Sequence, residues 1–369
     1  MRGSIRKRGT SSWRLIFDVT SDTGKRKQRT VTVRGTHKDA QRELTRLLGA
    51  ADSGTLPDPS KATVAEYLRQ WLDGALDRSP KTLERYRELA ERQVIPHLGG
   101  TLLQKLKAEH VQAWHGALLS GDKPLSARTV LHAHRLLRLV LQYAVKNGTL
   151  IRNVAAVHKP PKVEDREIEI LDAKQVALVV AGLEGHALQP IAQLALATGM
   201  RRGELLALQW GDVDLDRGVL RVERSVEETR AGLRLKPPKT KRGRRNIGLP
   251  ADAVTMLREH RRKQRELRLA LGQGGQPVLV FSTIEGALLS PNGVSRSWRQ
   301  TCAARKLPRV QFHALRHTHA SALIRAGVDV LTISRRLGHS SASMTLDVYG
   351  HLMEGADAAA AKAIEGVLK

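Results

Sequence analysis

The sequence predicts a multidomain protein that is mainly α with small β content. The apolar pattern alternates roughly over the first fifty-odd residues, switches to a period of 3.6 from Thr63, and mixes both periods from about Glu167. Two polar stretches with prolines, TLPDPSK (55–61) and HKPPKVED (158–165), fall at the switches and read as linkers. A chain of 369 residues suffices for two or three domains, each with its own core. The expected division is 1–57, 61–160 and 167–369.

In the first segment, SSWRLIFDVT and KRKQRTVTVRG carry β-branched and aromatic residues around SDTG, a turn signal that suits a hairpin. THKDAQRELTRLLGAADSG follows as a short helix with Thr36 as its N-cap. From Thr63, Val64, Tyr67, Leu68, Trp71 and Leu72 form one apolar stripe, and Ser79-Pro80 opens a second helix. Val111, Trp114 and Leu118 mark another. Val130, Leu137, Val140, Leu141 and Ala144 mark one more, stopped at Asn147-Gly148. This is a helical bundle, in which Tyr67, Tyr86 and Tyr143 are expected to fill the core. In the last segment Asp172 can cap a helix through Leu183, and a second helix runs from about His186 to Thr198. GDVDLDRGVLRVERSV and LRLKPPKTKRGRRNIGLP read as strands, turning at Asp216-Arg217-Gly218 and around Gly243, before helices resume. Trp71, Trp114 and Trp210 sit in apolar stripes and are assigned to cores; Trp298 has polar neighbours.

Sixty-two Lys and Arg against thirty-six Asp and Glu leave a formal charge of +26, which points to a polyanionic partner, nucleic acid above all. Membrane binding would need an anchor, and no uninterrupted apolar run approaches ~18 residues. The opening MRGSIRKRGTSSWRL has charge without the apolar centre of a secretory signal, and the single Cys302 cannot form an internal disulfide, so a reducing cytosol is expected. The clusters Arg6, Lys7, Arg8 and Lys25, Arg26, Lys27 are ordinarily solvated charges. On a β-ribbon beside Trp13 they can instead enter a groove of DNA.

Three segments of the last domain place cations beside tight turns. In ATGMRRGELLALQW, Gly199 can end one helix and Glu204 falls in the first turn of the next, so Arg201 sits at a loop. In FHALRHTHASALI, His313, Arg316 and His317 lie at i, i+3 and i+4 on one helix face. In LTISRRLGHSSASMTLDVYGHL a turn at Gly338-His339 and a capping Ser341 precede Tyr349. Each residue alone has an ordinary reading: a solvated arginine after a helix, a core tyrosine, half of a zinc site lacking its other ligands. Converged, they suit a phosphodiester. Arginines grip phosphate oxygens in parallel hydrogen bonds and offset charge on a pentavalent transition state. A tyrosine oxygen can attack phosphorus and a histidine can take its proton. A lysine of PPKTKRGRR, Lys239 or its neighbour Lys241, can protonate the departing 5′ oxygen, and such a scheme requires no metal or other cofactor.

ATGMRRGE, the lysine hairpin PPKTKRGRRNIGLP, HALRHTHASAL and LGHSSASMTLDVYGH, in that order, resemble the phage-integrase branch of the tyrosine recombinases over residues 168–352. The resemblance implies catalytic roles for Arg201, Lys239, His313, Arg316 and His339, support from Glu204, and Tyr349 as nucleophile. His317 and His319 are expected to support the site or meet the DNA backbone. It also implies an N-terminal three-stranded sheet plus helix that binds arm-type DNA sites, an α-helical core-binding bundle and a mixed α+β catalytic domain. The hairpin departs from the family pattern: serine often stands where Arg242 and Gly243 are, and proline where Gly248 is. Lys239 and Lys241 therefore both stay open as the acid, with Lys236 third, and Lys241, Arg242 and Arg244 are candidate DNA contacts.

The implied function is site-specific recombination of double-stranded DNA by a homotetramer in a bacterial cytoplasm, integrating or excising a mobile element. DNA-bending and directionality factors are possible partners, and the tail 355–368 is expected to dock on a neighbouring protomer. Two other readings are a supercoil-relaxing enzyme like the type IB topoisomerases, against which the arm module argues, and a DNA-binding regulator that has kept the fold.

Overall fold

The computed structural model describes residues 3–20, 26–52, 56, 58–164, 168–238, 241–350 and 364–365. The chain divides into two compact units, Met1–Glu164 and Asp165–Lys369.

The first unit holds two separate apolar cores. Strands β1 (Gly3–Gly9), β2 (Ser12–Thr20) and β3 (Arg26–Arg34) form an antiparallel sheet in that order. Helix α1 (His37–Asp52) covers one face, burying Leu44 and Leu47 against Leu15 and Phe17. Its start is fixed by a reciprocal cap in which Asp39 N–H donates to Thr36 Oγ1 and Thr36 N–H to Asp39 Oδ2. Side chains alternate across a strand, so the register sorts the cations. Arg6 lies opposite Arg14, and Ser12 opposite Arg34, on the face away from α1. Trp13 belongs to the other face: its indole N–H donates to Gly35 O and its ring meets His37 edge-on. It packs on the α1 side, with Lys7 directly opposite it on β1, and not beside Arg6 and Arg14. The turn SDTG and Lys25 lie outside the described residues.

The second core belongs to the bundle: α2 (Val64–Gly74), α3 (Pro80–Leu89), a π turn (Ala90–Val94) running into α4 (Ile95–Leu98), α5 (Ala108–Ser120) and α6 (Ala127–Lys146). Thr63 and Glu66 form a capping box at the start of α2, worth about 1 kcal/mol. Val64, Leu68, Trp114, Val130, Leu137 and Leu141 are buried as their spacing requires. Tyr143 is not a core residue: it is 47 % exposed, because Leu137, Val140, Leu141 and Ala144 occupy the inward stripe of α6 and leave 143 beside it.

Two histidines of this core carry a pH dependence. His115 Nε2 and His134 Nδ1 are hydrogen-bonded at 3.1 Å, both rings buried, and His134 Nε2 has no partner among the described residues. Burial, then His115 and Arg138, push His134 down to about 4. The unfolded chain takes up this proton near the ordinary histidine value of ~6.5, whereas the folded bundle resists it until about 4. Stability is therefore lost as pH falls through this window, by on the order of 2–3 kcal/mol. Hydrogen exchange of α5 and α6 amides, corrected for intrinsic rates, is expected to show protection falling between pH 6.5 and 4.5, and His134→Leu is expected to flatten that slope.

The second unit begins with α7 (Ala173–Gly182), capped by Asp172, whose carboxylate accepts from Gln175 N–H. Helix α8 (Gln189–Thr198) ends at Gly199, and α9 (Arg202–Leu206) follows. Strands β4 (Val213–Asp214), β5 (Val219–Val222) and β8 (Arg245–Gly248) form one sheet, and β6 (Ser225–Thr229) pairs with β7 (Gly232–Lys236) in a separate hairpin. Then come α10 (Ala251–Ala270), α11 (Pro291–Ala304), α12 (Ala314–Arg325), α13 (Val330–Leu337) and α14 (Ser343–Tyr349). The core gathers Val179, Leu194, Leu205, Leu220, Ile247 and Trp298. Trp298 is fully buried, its indole N–H donating to Val310 O, so its polar neighbours on α11 face away from it. A smaller cluster of Ala320, Ile333, Leu337 and Tyr349 joins α12, α13 and α14.

Candidate active site

Two left-handed glycines set the geometry. Gly199 ends α8 at φ +64° and Gly338 ends α13 at φ +67°, a conformation that side chains with a Cβ avoid. A Cβ on Gly199 would lie 2.6 Å from the His319 ring, and one on Gly338 would lie 2.8 Å from Arg245 Nη1. Both helices therefore stop where other side chains must pass, releasing Arg201 two residues after one glycine and His339 directly after the other.

The carbonyls left over at the end of α13 are then bonded by arginines. Arg245 Nε donates to Arg336 O at 2.6 Å, Arg316 Nη2 to Leu337 O at 2.8 Å and Arg201 Nη2 to Gly338 O at 3.0 Å. Just beyond, Arg242 Nη1 donates to Ser340 O at 2.5 Å. A helix C-terminus offers unpaired carbonyls and the negative end of the dipole, which is what holds this many cations together. Arg316 also donates to Gly199 O at 2.6 Å, so one guanidinium ties the ends of α8 and α13.

Glu204 supplies the one carboxylate that bonds these arginines among the described residues. It is 3 % exposed and accepts from Arg201 N–H, Arg201 Nη1 and Arg245 Nη2 at 2.9–3.0 Å. Burial alone would raise its pKa, but Arg245 and then Arg201 outweigh burial and hold it below the usual carboxylate value. Arg316, 3 % exposed, is pushed down to about 9 by burial and by Arg201. It remains protonated at neutral pH. Three guanidiniums against one carboxylate leave a net positive charge beside the end of α13.

Tyr349 ends α14 with its ring in the small cluster and 1 % exposed. Its hydroxyl and His317 Nδ1 are hydrogen-bonded at 2.7 Å, and burial pushes the phenol up to about 12. The rings of His313 and His317 meet edge-on at 4.9 Å. His313 is open to solvent on one side; the protein around its other side, with His317, Arg316 and Arg201, pushes it below the ordinary histidine value. His339 is buried, its Nδ1 hydrogen-bonded to Thr345 Oγ1 at 2.8 Å, and burial with Arg316 and Arg201 brings it down to about 4. His319 lies inside rather than at a DNA-facing surface, between Leu196 O and Arg336 Nε.

Arg201, Glu204, His313, Arg316, His339 and Tyr349 thus converge. Lys239 lies outside the described residues, as do His351 and most of the tail; Lys241 opens a short 3₁₀ turn, Lys241–Gly243. Arg244 is exposed beside Glu223. Ser341 does not cap α14: its hydroxyl bonds that of Ser343 at 2.8 Å, and Ala342 holds the cap position. Arg245 is the residue that the sequence reading missed. Alternation along β8 puts it on the face of buried Ile247, while Arg244 and Asn246 point out, so strand parity would have found it.

Comparison with known proteins fits this geometry. Residues 169–355 match the phage integrase family, and 63–119 match the phage integrase N-terminal SAM-like domain. The chain belongs to the phage integrase family. It is 31 % identical to an integrase of Streptomyces ambofaciens over 99 % of this chain and 94 % of that one. It is 28 % identical to a XerC-like tyrosine recombinase of Caldanaerobacter subterraneus over 94 % of each. Among solved structures, the Tn1549 transposon integrase in complex with transposon right end DNA superposes with a TM-score of 0.69 at 20 % identity, covering 81 % of this chain and 98 % of that one. A lambda integrase tetramer bound to a Holliday junction gives 0.58 at 21 % identity, covering 94 % and 95 %. These two share the fold. As a member of the family, the chain is a tyrosine recombinase that cleaves and rejoins DNA in site-specific recombination.

Proposed function

We propose that Tyr349 attacks the scissile phosphate to give a 3′-phosphotyrosine and a free 5′ hydroxyl, and that Arg201, Arg316 and His339 stabilise the transition state. The observation that carries this reading is the convergence of a phenol, two arginines and a histidine around one turn, 338–341. The transition state of a phosphodiester displacement carries about two negative charges. Three guanidiniums less one carboxylate, with the histidines neutral, supply a pocket of matching sign before DNA arrives. Glu204 holds Arg201 in place, His313 serves as base or proton shuttle, and Lys239 protonates the 5′ oxygen, with Lys241 the alternative. The phosphotyrosine keeps the energy of the broken bond, so strands rejoin without ATP.

On this reading four protomers exchange strands through a Holliday junction to integrate or excise a mobile element in a bacterial cytoplasm. The helical bundle, whose first half matches the family's SAM-like domain, would bind core-type DNA. The N-terminal sheet would bind arm-type sites. In its support, Arg6 and Arg14 face each other directly across two strands, an arrangement of like charges that destabilises a sheet unless an anion lies over it. Arg8 Nη1 donates to Thr32 Oγ1 on that face at 3.2 Å, and Arg26 and Arg34 share the face, whereas Lys7, opposite Trp13, and Lys27, opposite Val19, lie on the other.

The test is a covalent trap. Full-length protein is mixed with end-labelled nicked duplexes tiled across the DNA flanking its gene and across junctions of the element, in excess chelator without ATP. A retarded band on a denaturing gel, with the DNA-linked peptide mapping to Tyr349, is the expected result; a DNA-linked peptide mapping elsewhere overturns the assignment.

A further inference from the structure

We propose that His317 takes the phenolic proton of Tyr349 as its oxygen attacks phosphorus, and returns that proton when the strand is rejoined. This rests on the reading of Tyr349 as nucleophile and assigns the immediate proton acceptor, leaving His313 the next ring outward. In the step, the Tyr349 O–H bond breaks and an O–P bond forms while the P–O5′ bond breaks. The phenolic proton passes to His317 Nδ1, and the 5′ oxygen takes a proton from the hairpin lysine.

Geometry selects His317. Its Nδ1 stands 2.7 Å from the Tyr349 hydroxyl, within the reach a general base needs, and the two rings are 5.7 Å apart. Of the other groups facing this pair, Arg316 is charged and holds Gly199 O and Leu337 O, so it has no lone pair to offer. His339, from the turn before α14, is engaged with Thr345. Arg201, at the start of α9, is bound to Glu204 and Gly338 O. His313, on the same helix face as His317, meets it ring to ring and is open to solvent. The order phenol, His317, His313, solvent is therefore a path for one proton in and out of a buried site.

The need is chemical. A phenol that burial has pushed up to about 12 is almost wholly protonated at neutral pH, so attack requires an acceptor at the moment of bond formation. Burial, then Arg316, hold His317 below its ordinary value, so the ring is neutral and can accept. The same hydrogen bond admits an opposite role, a latch that keeps the buried nucleophile off the phosphate in the free chain. The two roles predict opposite signs for removing the imidazole.

The experiment uses the full-length chain and the nicked duplex on which it forms its adduct, made with a bridging sulfur in place of the 5′ oxygen. Sulfur departs without a proton, which removes the acid from the measured rate. Single-turnover adduct formation is followed from pH 5.5 to 9 for the parent, His317→Ala, His317→Asn and Tyr349→Phe. Asparagine can hold the phenol by a hydrogen bond but cannot take its proton. The expected result is that both His317 variants bind DNA normally and cleave about a hundredfold or more slowly. Both should also lose the limb over which the parent rate rises with pH. His317→Asn cleaving at the parent rate reduces the residue to positioning, and faster cleavage by either variant establishes the latch; both overturn the proposal. Tyr349→Phe that still forms the adduct overturns the underlying reading instead.

Discussion

Tyr349→Phe is expected to bind the same DNA as the parent chain and to leave no protein attached to it. The phenyl ring stays where the structure needs it, packed with Ala320, Ile333 and Leu337, so the substitution deletes only the hydroxyl and its bond to His317. Losing one partly buried hydrogen bond costs about 1 kcal/mol, too little to unfold the second unit. Losing the attacking atom costs the reaction its covalent intermediate. No adduct is expected at any time of incubation, because phenylalanine has no oxygen to bond phosphorus. The covalent trap reads this directly, with gel-shift binding and the melting temperature as controls. A band of undiminished intensity would move the nucleophile elsewhere, and the other tyrosines, Tyr67, Tyr86 and Tyr143, all belong to the first unit.

Much of this site was legible because its signals are local. Gly199 and Gly338 end helices as a glycine after a periodic run does, Asp172 caps α7, and Glu204 sits three residues from the arginine it holds. The spacing of His313, Arg316 and His317 fixes one helix face whatever the rest of the chain does. What stayed hidden depends on contacts between distant segments. Arg245 meets Glu204 from 41 residues away, and His317 meets Tyr349 from 32 away. Neither distance follows from a period of 2 or 3.6. Tyr143 and Trp13 were misplaced for a related reason: periodicity says that a residue is near a stripe, whereas packing decides whether it lies in it. Ser341 shows the limit of capping rules, since its hydroxyl found Ser343 rather than a backbone N–H of α14.

Arg316→Lys keeps the positive charge and is nevertheless expected to lose most of the activity, because Arg316 has two tasks that only a planar fork performs together. It donates in two directions, to Gly199 O and to Leu337 O, and so fixes the ends of α8 and α13 from which Arg201 and His339 emerge. The guanidinium has five N–H donors, so it can hold both carbonyls and still offer hydrogen bonds to a phosphate; an ammonium on a flexible stem has three and no fixed plane. Removing one donor to a transition-state oxyanion costs about 10² to 10³ in rate, and both Arg316→Lys and Arg316→Ala are expected in or beyond that range. Their stabilities should differ. Alanine leaves two buried carbonyls unpaired, at about 1–3 kcal/mol each, whereas lysine can satisfy one of them. Alanine also removes a like charge beside Arg201, which returns part of that loss. The comparison to make is single-turnover adduct formation at saturating protein against the melting temperature of each variant. Lysine melting near the parent while cleaving as slowly as alanine would assign the rate to the fork. Lysine cleaving at the parent rate would mean that charge alone serves the phosphate and that the two carbonyl bonds are incidental to catalysis.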